Sequence, residues 1–519
     1  MKKYNLIIIC VLFSVFAFYG CEDYLEKNPL DKISSATFWQ SKTDFDMAMT
    51  ANNGKLQGLD TAPWETPLAG MWGFLLPNWD NFTDNSYGQH NYGSSKLFVE
   101  GNISSTTMGN IEGVYKYSYQ AIARINIFLN ELASYKGVDI SETQKLNYEA
   151  EMKFLRAFHY FNLYQLYGDV PLVLEPLTIE TQVQAKVSKE KVYEQIIKDL
   201  DFSIAHLNIV PYYENKSHPT KSTAQAFKAR VLIFAGYGNN GVADLNLLNQ
   251  VKQLCLDIIP QYSLSPVFEN IFQDKGQQNN KEIIFSINYF APDNAPPYGP
   301  DLVFGDWIVV SPLQNFVDAF ECSDGLPWGV SPLTDKKNPF ENRDPRLKKT
   351  VFVNRPDWGN GLVHNPTNNR PTGYGLKKFL VPENVPYGYD VLSQQNTVVL
   401  RLAEILLMYA EVVNEISGPD PSVYKAINDI RARVNMPPLN SGLSKDEMRL
   451  KIRQERRIEM AFEGLRYFDL RRWHIAGVVL NSVTDGLLKY KWEDRFYQWP
   501  LPQSEIDKSK GILIQNPNY

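Results

Sequence analysis

The sequence has few of the residues that disulfide frameworks and metal centres require. It contains 4 cysteines and 6 histidines in 519 residues, with no CxxC pair and no metal-ligand spacing among the histidines. An EF-hand loop, a glycine-rich phosphate loop and a nucleophile elbow are also absent. We therefore expect no cofactor, although a structural calcium ion held by loop carboxylates stays open.

A strong excess of charge is lacking as well. Charged residues make up 21% of the chain, hydrophobic residues 44%, and the formal net charge is −6. This balance is typical of a folded globular protein rather than a disordered one. A mildly acidic surface also disfavours nucleic acid as a partner, because binding to phosphates needs clustered positive charge.

Residues 1–20 are predicted to be a targeting segment. Two lysines precede an apolar run, Ile7 to Phe18, that is too short to span a membrane comfortably. Gly20 then precedes Cys21, and a small residue directly before cysteine resembles a bacterial lipoprotein cleavage site. We expect Cys21 to become the acylated N-terminus, which would anchor the chain without spanning the membrane. The alternative is an ordinary secretory signal that is cut nearby.

Helical periodicity dominates the rest of the chain, which predicts a mainly α fold. The helix lengths and short links indicate stacked antiparallel pairs, broadly like tetratricopeptide repeats. Ser141 and Gln144 fit a capping box at the start of one helix, which Gly168 ends. The predicted helices are 43–57, 108–135, 141–167, 188–207, 221–237, 243–259, 398–416, 421–434 and 446–462.

Two long segments, 58–102 and 262–397, show no helical period. They are rich in Gly, Pro, Asn and aromatic residues, and the second contains one plausible strand, 282–287. Long irregular segments inside compact proteins often carry function. We expect one domain, 21–519, in which these segments form a loop-rich ligand face. The remaining parts are a helical scaffold at 41–57, 103–260 and 398–474, and a tail, 475–519, that packs back on the body.

The stretch Asp446 to His474 places two carboxylates on an apolar helix face, Glu455 and Glu459, which predicts that both are buried. A buried charge must be paired, because burying it alone costs several kcal/mol. The stretch therefore indicates a helical corner, with a stop at Gly464, that is closed by internal ion pairs. The same stretch offers six candidate partners: Arg453, Arg456, Arg457, Arg466, Arg471 and Arg472.

A catalytic alternative for Glu455 and Glu459 must be weighed against this structural one. One helical turn separates them by about 6 Å, close to the carboxyl separation of a retaining glycoside hydrolase. A catalytic acid needs a raised pKa, however, and nearby arginines would lower it. The spacing permits hydrolysis, and the neighbours argue against it.

Five blocks in order give the chain its resemblance to the SusD/RagB family of outer-membrane lipoproteins. They are CEDYLEKNPLDKISSATFW, YEAEMKFLRAFHYFNLYQLYGDVPLV, RLAEILLMYAEVVNEI, IRQERRIEMAFEGLRYFDLRRW, and the ending WPLPQSEI with QNPNY. The resemblance implies four tetratricopeptide-like helix pairs that support a variable ligand face with a little β structure. It also implies a surface-exposed, lipid-anchored, non-enzymatic protein that delivers nutrient, usually an oligosaccharide and in some members a peptide, to a SusC-like TonB-dependent transporter. A purely structural helical scaffold is a further alternative.

Candidate ligand-binding residues lie in both irregular segments. Aromatic rings stack on the apolar faces of sugars, and Asp, Asn and backbone groups bond the hydroxyls. Asp84 lies where family members often have a ligand-binding acidic residue; the other choices rest on composition. They are Trp72, Trp79, Asn85, Tyr87 and Tyr92 in the first segment, and Tyr289, Asn294, Tyr298 and Trp307 in the second.

Overall fold

The computed structural model describes residues 38–57, 76–90, 93–215, 218–238, 240–296, 298–353, 358, 361–484 and 487–519. The predicted signal segment and Cys21 lie outside the described residues. The α-helices are α1 Lys42–Gly54, α2 Ser95–Val99, α3 Asn110–Ser134, α4 Glu142–Tyr167, α5 Lys189–His206, α6 Lys221–Ala235, α7 Leu245–Ile258, α8 Asp274–Gln277, α9 Gln314–Ala319, α10 Arg346–Thr350, α11 Leu402–Ser417, α12 Pro421–Arg433, α13 Lys445–Glu459, α14 Arg466–Arg472, α15 Ala476–Leu480 and α16 Gln503–Lys508. The strands are β1 Ser86–Tyr87, β2 Ile283–Ile287, β3 Ser311–Pro312, β4 Val351–Phe352, β5 Gly375–Leu376 and β6 Thr397–Arg401.

Local chemistry sets the ends of the long helices. The Ser141 hydroxyl accepts a hydrogen bond from the Gln144 amide at the start of α4, and Gly168, with φ +73°, ends that helix. The predicted capping box is only half formed, because the Gln144 side chain donates to the Tyr148 hydroxyl instead. Ser444 and Glu447 form a complete capping box at the start of α13.

The scaffold is a stack of helices in chain order. Each of α3 to α6 packs against the helix that follows it, and α11 packs on α7 and also contacts α12 and α13. The predicted mainly α, tetratricopeptide-like fold is therefore confirmed. Among the described residues, no helix combines the length and the hydrophobicity that crossing a bilayer requires.

The strand pair β2–β6 closes the base of the large insertion between α7 and α11. Ile287 pairs with Thr397 and Ile283 with Arg401 in antiparallel register, so the chain leaves and re-enters the scaffold at one place. The prediction of a helix from Val398 was wrong at its start. Val398, Val399 and Leu400 are extended because β2 offers them a hydrogen-bonding partner, and the helix begins at Leu402.

The insertion has its own hydrophobic core, which docks on the scaffold. Rings from the insertion, including Phe304, Phe316 and Phe352, cluster with Phe462. Phe462 has a φ of +63° because α13 ends at Glu459, earlier than predicted. The Lys378 ammonium bonds the carbonyls that this ending exposes, at 3.1 Å from Glu459 O and 2.9 Å from Ala461 O.

The C-terminal tail packs back on the scaffold, as predicted. Trp499 is fully buried, and its amide donates to the Leu166 carbonyl at 2.7 Å. The Asn516 amide donates to the carbonyls of Tyr167 and Trp499 at 2.9 and 2.8 Å. These bonds satisfy the carbonyls at the end of α4 and fix the tail against it.

Candidate ligand-binding face

Glu455 and Glu459 are buried and fully paired, but their partners are not the predicted ones. Glu455 accepts from Arg346 at 2.5 Å and from Arg431 at 3.0 Å. Glu459 accepts from Arg346 at 3.0 Å and from Arg401 at 2.7 Å, and it is also paired with Arg433. These arginines come from α10, β6 and α12, so the ion pairs join the insertion to the scaffold instead of closing one corner on itself.

The pairing decides against acid–base chemistry at these two glutamates. Burial would raise the pKa of Glu459, but the charges of Arg433, Arg401 and Arg346 outweigh it and hold the pKa well below its usual range. Glu459 is 0% exposed and Glu455 is 4% exposed, so neither carboxylate presents surface to a substrate. A carboxylate in this state has no proton to give to a leaving group at neutral pH.

The arginines of the stretch 446–474 serve other carboxylates. Arg457 and Arg466 both bond Asp84, at 2.9 Å each. Arg456 and Arg472 both bond Asp469, at 2.7 and 2.9 Å. Asp84 belongs to the first irregular segment, whereas Asp469 lies in the stretch itself, on α14. The predicted ion-pair network exists, and its connectivity differs from the prediction.

Four of the predicted ligand-binding residues are buried, which corrects the sequence prediction for them: Tyr289, which is 6% exposed, and three residues of the first irregular segment. Trp79 is 1% exposed and stacks on Tyr467, with ring centroids 5.6 Å apart and an interplanar angle of 15°. Asp84 is buried between its two arginines, and Asn85 accepts from Arg457 at 2.9 Å. None of the three has surface to offer a ligand in this structure. They anchor the first irregular segment to the scaffold.

The two aspartates of this anchored segment are in opposite electrostatic states. Burial would raise the pKa of Asp84, but the charges of Arg457 and Arg466 outweigh it and lower the pKa to about 2. Asp80 is also buried, and burial prevails there: its pKa is raised to about 7, although it accepts a bond from Asn85 at 2.7 Å.

The strand pair β1–β3 joins the first irregular segment to the second. Tyr87 pairs with Ser311 in antiparallel register. Two residues further on, Gln89 Nε2 donates to the Trp307 carbonyl at 2.6 Å, and His90 Nε2 lies 3.0 Å from the same oxygen. The segment 86–90 therefore holds Trp307 from one side.

Three aromatic side chains meet at this place, which we name the aromatic cluster: Tyr298, Trp307 and Tyr389. Tyr298 and Trp307 have ring centroids 5.3 Å apart, and Tyr389 lies 5.9 Å from Trp307 and 6.4 Å from Tyr298. Tyr298 and Trp307 are half-buried, whereas Tyr389 is 70% exposed. Sequence reasoning selected Tyr298 and Trp307 and missed Tyr389, whose only signal was its place in the irregular segment 262–397.

The backbone around Trp307 is fixed by buried polar contacts. A π-helical turn, Asp301–Asp306, precedes it, and π-helical turns are frequent at functional sites. The Asp301 carboxylate accepts from the Val381 amide at 2.9 Å, and the Asp306 carboxylate accepts from the Thr367 amide at 2.7 Å. These bonds tie the turn to two other parts of the insertion and so fix the backbone that leads into Trp307.

Tyr289 and Asn294 lie elsewhere, in a depression of about 980 Å³ that we name the amide cleft. It lies between the end of α1, the turn Tyr212–Glu214 and the chain on both sides of β2. No residue lining it belongs to the aromatic cluster. The structure thus separates the four predicted residues of the second segment into two places, while Trp72 and Tyr92 lie outside the described residues. The cleft is lined by side chains that include Asn53, Tyr213, Gln278, Asn279, Asn288 and Asn294.

Comparison with known sequences identifies the family. Residues 266–519 match the model of the SusD family, and residues 77–233 match a model described as starch-binding associating with outer membrane. The chain belongs to the SusD family. The SusD-like protein P2 of Formosa agariphila is 27% identical over 544 aligned positions, which cover 100% of both chains. A SusD-like protein of Bacteroides ovatus is 23% identical over 100% of this chain and 92% of the relative.

Solved SusD-like structures share the fold over nearly the whole chain. A SusD-like protein from Bacteroides fragilis superposes with a TM-score of 0.75 at 26% identity, covering 95% of this chain and 100% of the other. Surface glycan-binding protein A from Bacteroides thetaiotaomicron, solved in complex with laminarihexaose, gives a TM-score of 0.68 at 23% identity, covering 92% and 100%. At 23% identity, the similarity to surface glycan-binding protein A shows a shared fold and nothing further.

Proposed function

We propose that this SusD family member binds an oligosaccharide through the aromatic cluster and delivers it to a SusC-like TonB-dependent transporter in the outer membrane. Acylation at Cys21 would hold the protein at the cell surface. The chain supplies recognition in this proposal, and it supplies no bond-breaking chemistry.

The observation that carries the proposal is the exposure of an aromatic ring on a fixed base. Tyr389 presents 70% of its surface beside the half-buried rings of Trp307 and Tyr298. Rings held at different angles, 36° for Tyr298 with Trp307 and 62° for Trp307 with Tyr389, can follow the turn of a sugar chain. Stacking on sugar faces needs such prearranged rings, because ordering side chains on binding costs affinity.

The ligand class is supported by relatives as well as by the rings. The family model that matches residues 77–233 carries the words starch-binding, and one structural neighbour is described as a laminarin-binding SusD-like protein. Hydrogen-bonding groups for hydroxyls lie beside the rings, in Gln89 and His90. A peptide ligand remains the alternative, and calorimetry with oligopeptides against oligosaccharides separates the two.

Affinity electrophoresis tests the proposal directly. Wild-type protein should be retarded in gels that contain one of a panel of polysaccharides: laminarin, starch, xylan, mannan and arabinan. Tyr389→Ala and Trp307→Ala should each weaken binding about tenfold or more, which corresponds to 1.4 kcal/mol. Trp328→Ala is the matched control, because Trp328 is also a half-buried ring of the insertion but packs against Arg343, 4.3 Å from its guanidinium. Retardation by no panel member would overturn the proposed ligand class.

The anchor and the transporter need their own tests. Cys21→Ala should abolish incorporation of a labelled fatty acid and release the protein from the membrane fraction. Purification of the acylated protein from its own outer membrane should bring with it a TonB-dependent β-barrel. Unchanged membrane attachment in the Cys21→Ala variant would contradict the lipid anchor.

A further inference from the structure

The amide cleft has the composition of a second binding site. Among the described residues that line it, Asp293 supplies the one carboxylate, and no lysine, arginine or histidine takes part. The side-chain amides of Gln278, Asn279 and Asn294 form no hydrogen bond within the described part of the chain. Uncharged amides that both donate and accept suit the hydroxyls of a neutral sugar, whereas an ionic ligand would need opposite charge.

An exposed ring stands at the rim of the cleft. Phe290 is 65% exposed, and it lines the cleft together with Asn294. In the described residues, Phe290 and Tyr389 are the two aromatic side chains that are mostly exposed. One lies at each candidate site. A phenylalanine left in water costs free energy, so its position beside unengaged amides points to a ligand with an apolar face and polar edges.

The floor and the rim of the cleft are fixed by backbone and amide contacts. The Asn396 amide donates to Gln277 Oε1 at 2.8 Å, and Gln277 Nε2 donates back to the Asn396 carbonyl at 2.7 Å. The Tyr289 amide donates to Asn396 Oδ1 at 2.9 Å. Phe290 and Asn294 exchange backbone hydrogen bonds of 3.0 and 2.7 Å, which close the rim into a tight loop. A cleft built in this way needs little ordering when a ligand binds.

The cleft and the aromatic cluster are close along the chain. Asn294 lines the cleft, and Tyr298, four residues later, belongs to the cluster. Four residues reach at most about 14 Å when fully extended, so the two sites lie within the length of one oligosaccharide chain. Two weak contacts on one polymer raise the apparent affinity, because the second contact forms at a high effective concentration.

We propose that the amide cleft is a second subsite for a neutral glycan, occupied by the same chain that the aromatic cluster binds. This proposal rests on the proposed function. It assigns to Phe290, Asn294 and Gln278 a role in holding long chains, and to the aromatic cluster the contact that any bound oligosaccharide makes.

The experiment measures affinity against chain length. Calorimetry uses the panel polysaccharide that retards the wild type, together with its oligosaccharides of increasing length. Phe290→Ala and Asn294→Ala should leave the affinity for the shortest binding oligosaccharide unchanged, and should weaken binding of the polysaccharide severalfold. Tyr389→Ala should weaken both. The controls are Val478→Ala and Asn249→Ala, exposed residues of α15 and α7, and thermal melting of each variant confirms that it is folded.

Each outcome decides between the two proposals. If the affinities of Phe290→Ala and Asn294→Ala increase with glycan length as they do in the wild type, the second subsite would be overturned and the proposed function would stand. Failure of the wild type to bind any panel glycan would overturn both. If the wild type binds oligopeptides more tightly than glycans, and Phe290→Ala removes that preference, the assignment of the cleft to carbohydrate would be overturned.

Discussion

Arg346 Nη1 donates to Glu455 Oε1 at 2.5 Å, and this contact joins α10 of the insertion to α13 of the scaffold. The same nitrogen lies 3.0 Å from Glu459 Oε2, and Nη2 donates to Asp344 Oδ2 at 2.7 Å. A buried guanidinium is tolerated when carboxylates surround it and satisfy its donors. The insertion is therefore held on the helical stack by charge as well as by the core around Phe462.

Glu459→Gln should destabilise the protein by about 3–5 kcal/mol, because the change leaves Arg346, Arg401 and Arg433 buried with less compensating charge. Chemical denaturation measures the free energy of unfolding. Glu341→Gln is the control, since Glu341 pairs with Lys348 at the surface, and its loss should cost no more than about 1 kcal/mol. Equal stability of Glu459→Gln and wild type would contradict the structural role of Glu459.

Asp84→Asn should lower the free energy of unfolding at neutral pH. It should also make that free energy depend less on pH in the acid range. The pKa of Asp84 is about 2 in the folded protein, below the value near 3.9 of an unfolded chain. Its stabilising effect is therefore present above the unfolded pKa and is lost as the pH falls toward 2. Such a shift corresponds to about 2.6 kcal/mol at pH 7. Denaturation at intervals from pH 7 to pH 2 should show the two proteins converging in acid; a constant difference would count against this origin.

Asp80→Asn should have the opposite pH dependence. The pKa of Asp80 is raised to about 7 by burial, so the folded state keeps a proton that the unfolded state has lost. The stability that this proton provides is present below the unfolded pKa and decreases as the pH rises from about 4 to about 7. The free energy of unfolding of the asparagine variant, which carries no charge here, should therefore rise relative to that of wild type as the pH rises from about 4 to about 7, as measured by chemical denaturation. Asp318→Asn, at an exposed position, should show no such gain.

Gln89→Ala should weaken oligosaccharide binding severalfold without unfolding the protein. Gln89 donates to the Trp307 carbonyl and is a positioning residue in the proposed site. Its loss should change tryptophan fluorescence in the free protein and lower affinity together, since both report on the orientation of Trp307. Gln253→Ala on α7 is the control, because that exposed side chain donates to Asp257 on the same helix. If the variant binds oligosaccharide normally although its fluorescence has changed, then Trp307 does not contribute to binding.

Local sequence signals predicted the scaffold closely. Ser141 and Gly168 fix the two ends of α4 through bonds within a few residues, and both were predicted from local sequence spacing. The start of α11 was mispredicted because Val398 to Leu400 take their conformation from β2, which lies over 100 positions earlier in the sequence. Strand pairing overrides helical periodicity when the partner strand is distant.

By itself the sequence determined the family, the helical stack, the burial of Glu455 and Glu459, and the two irregular segments that carry the candidate site. The family follows from the resemblance of five sequence blocks, and the other features follow from periodicity and composition, which act over one or two helical turns. Only the tertiary structure decided which arginine meets which carboxylate, that Trp79, Asp84 and Asn85 are internal, and that Tyr289 and Asn294 lie apart from Tyr298 and Trp307. Those outcomes depend on contacts such as Arg346 with Glu455, 109 positions apart, whose formation is set by the packing of whole elements.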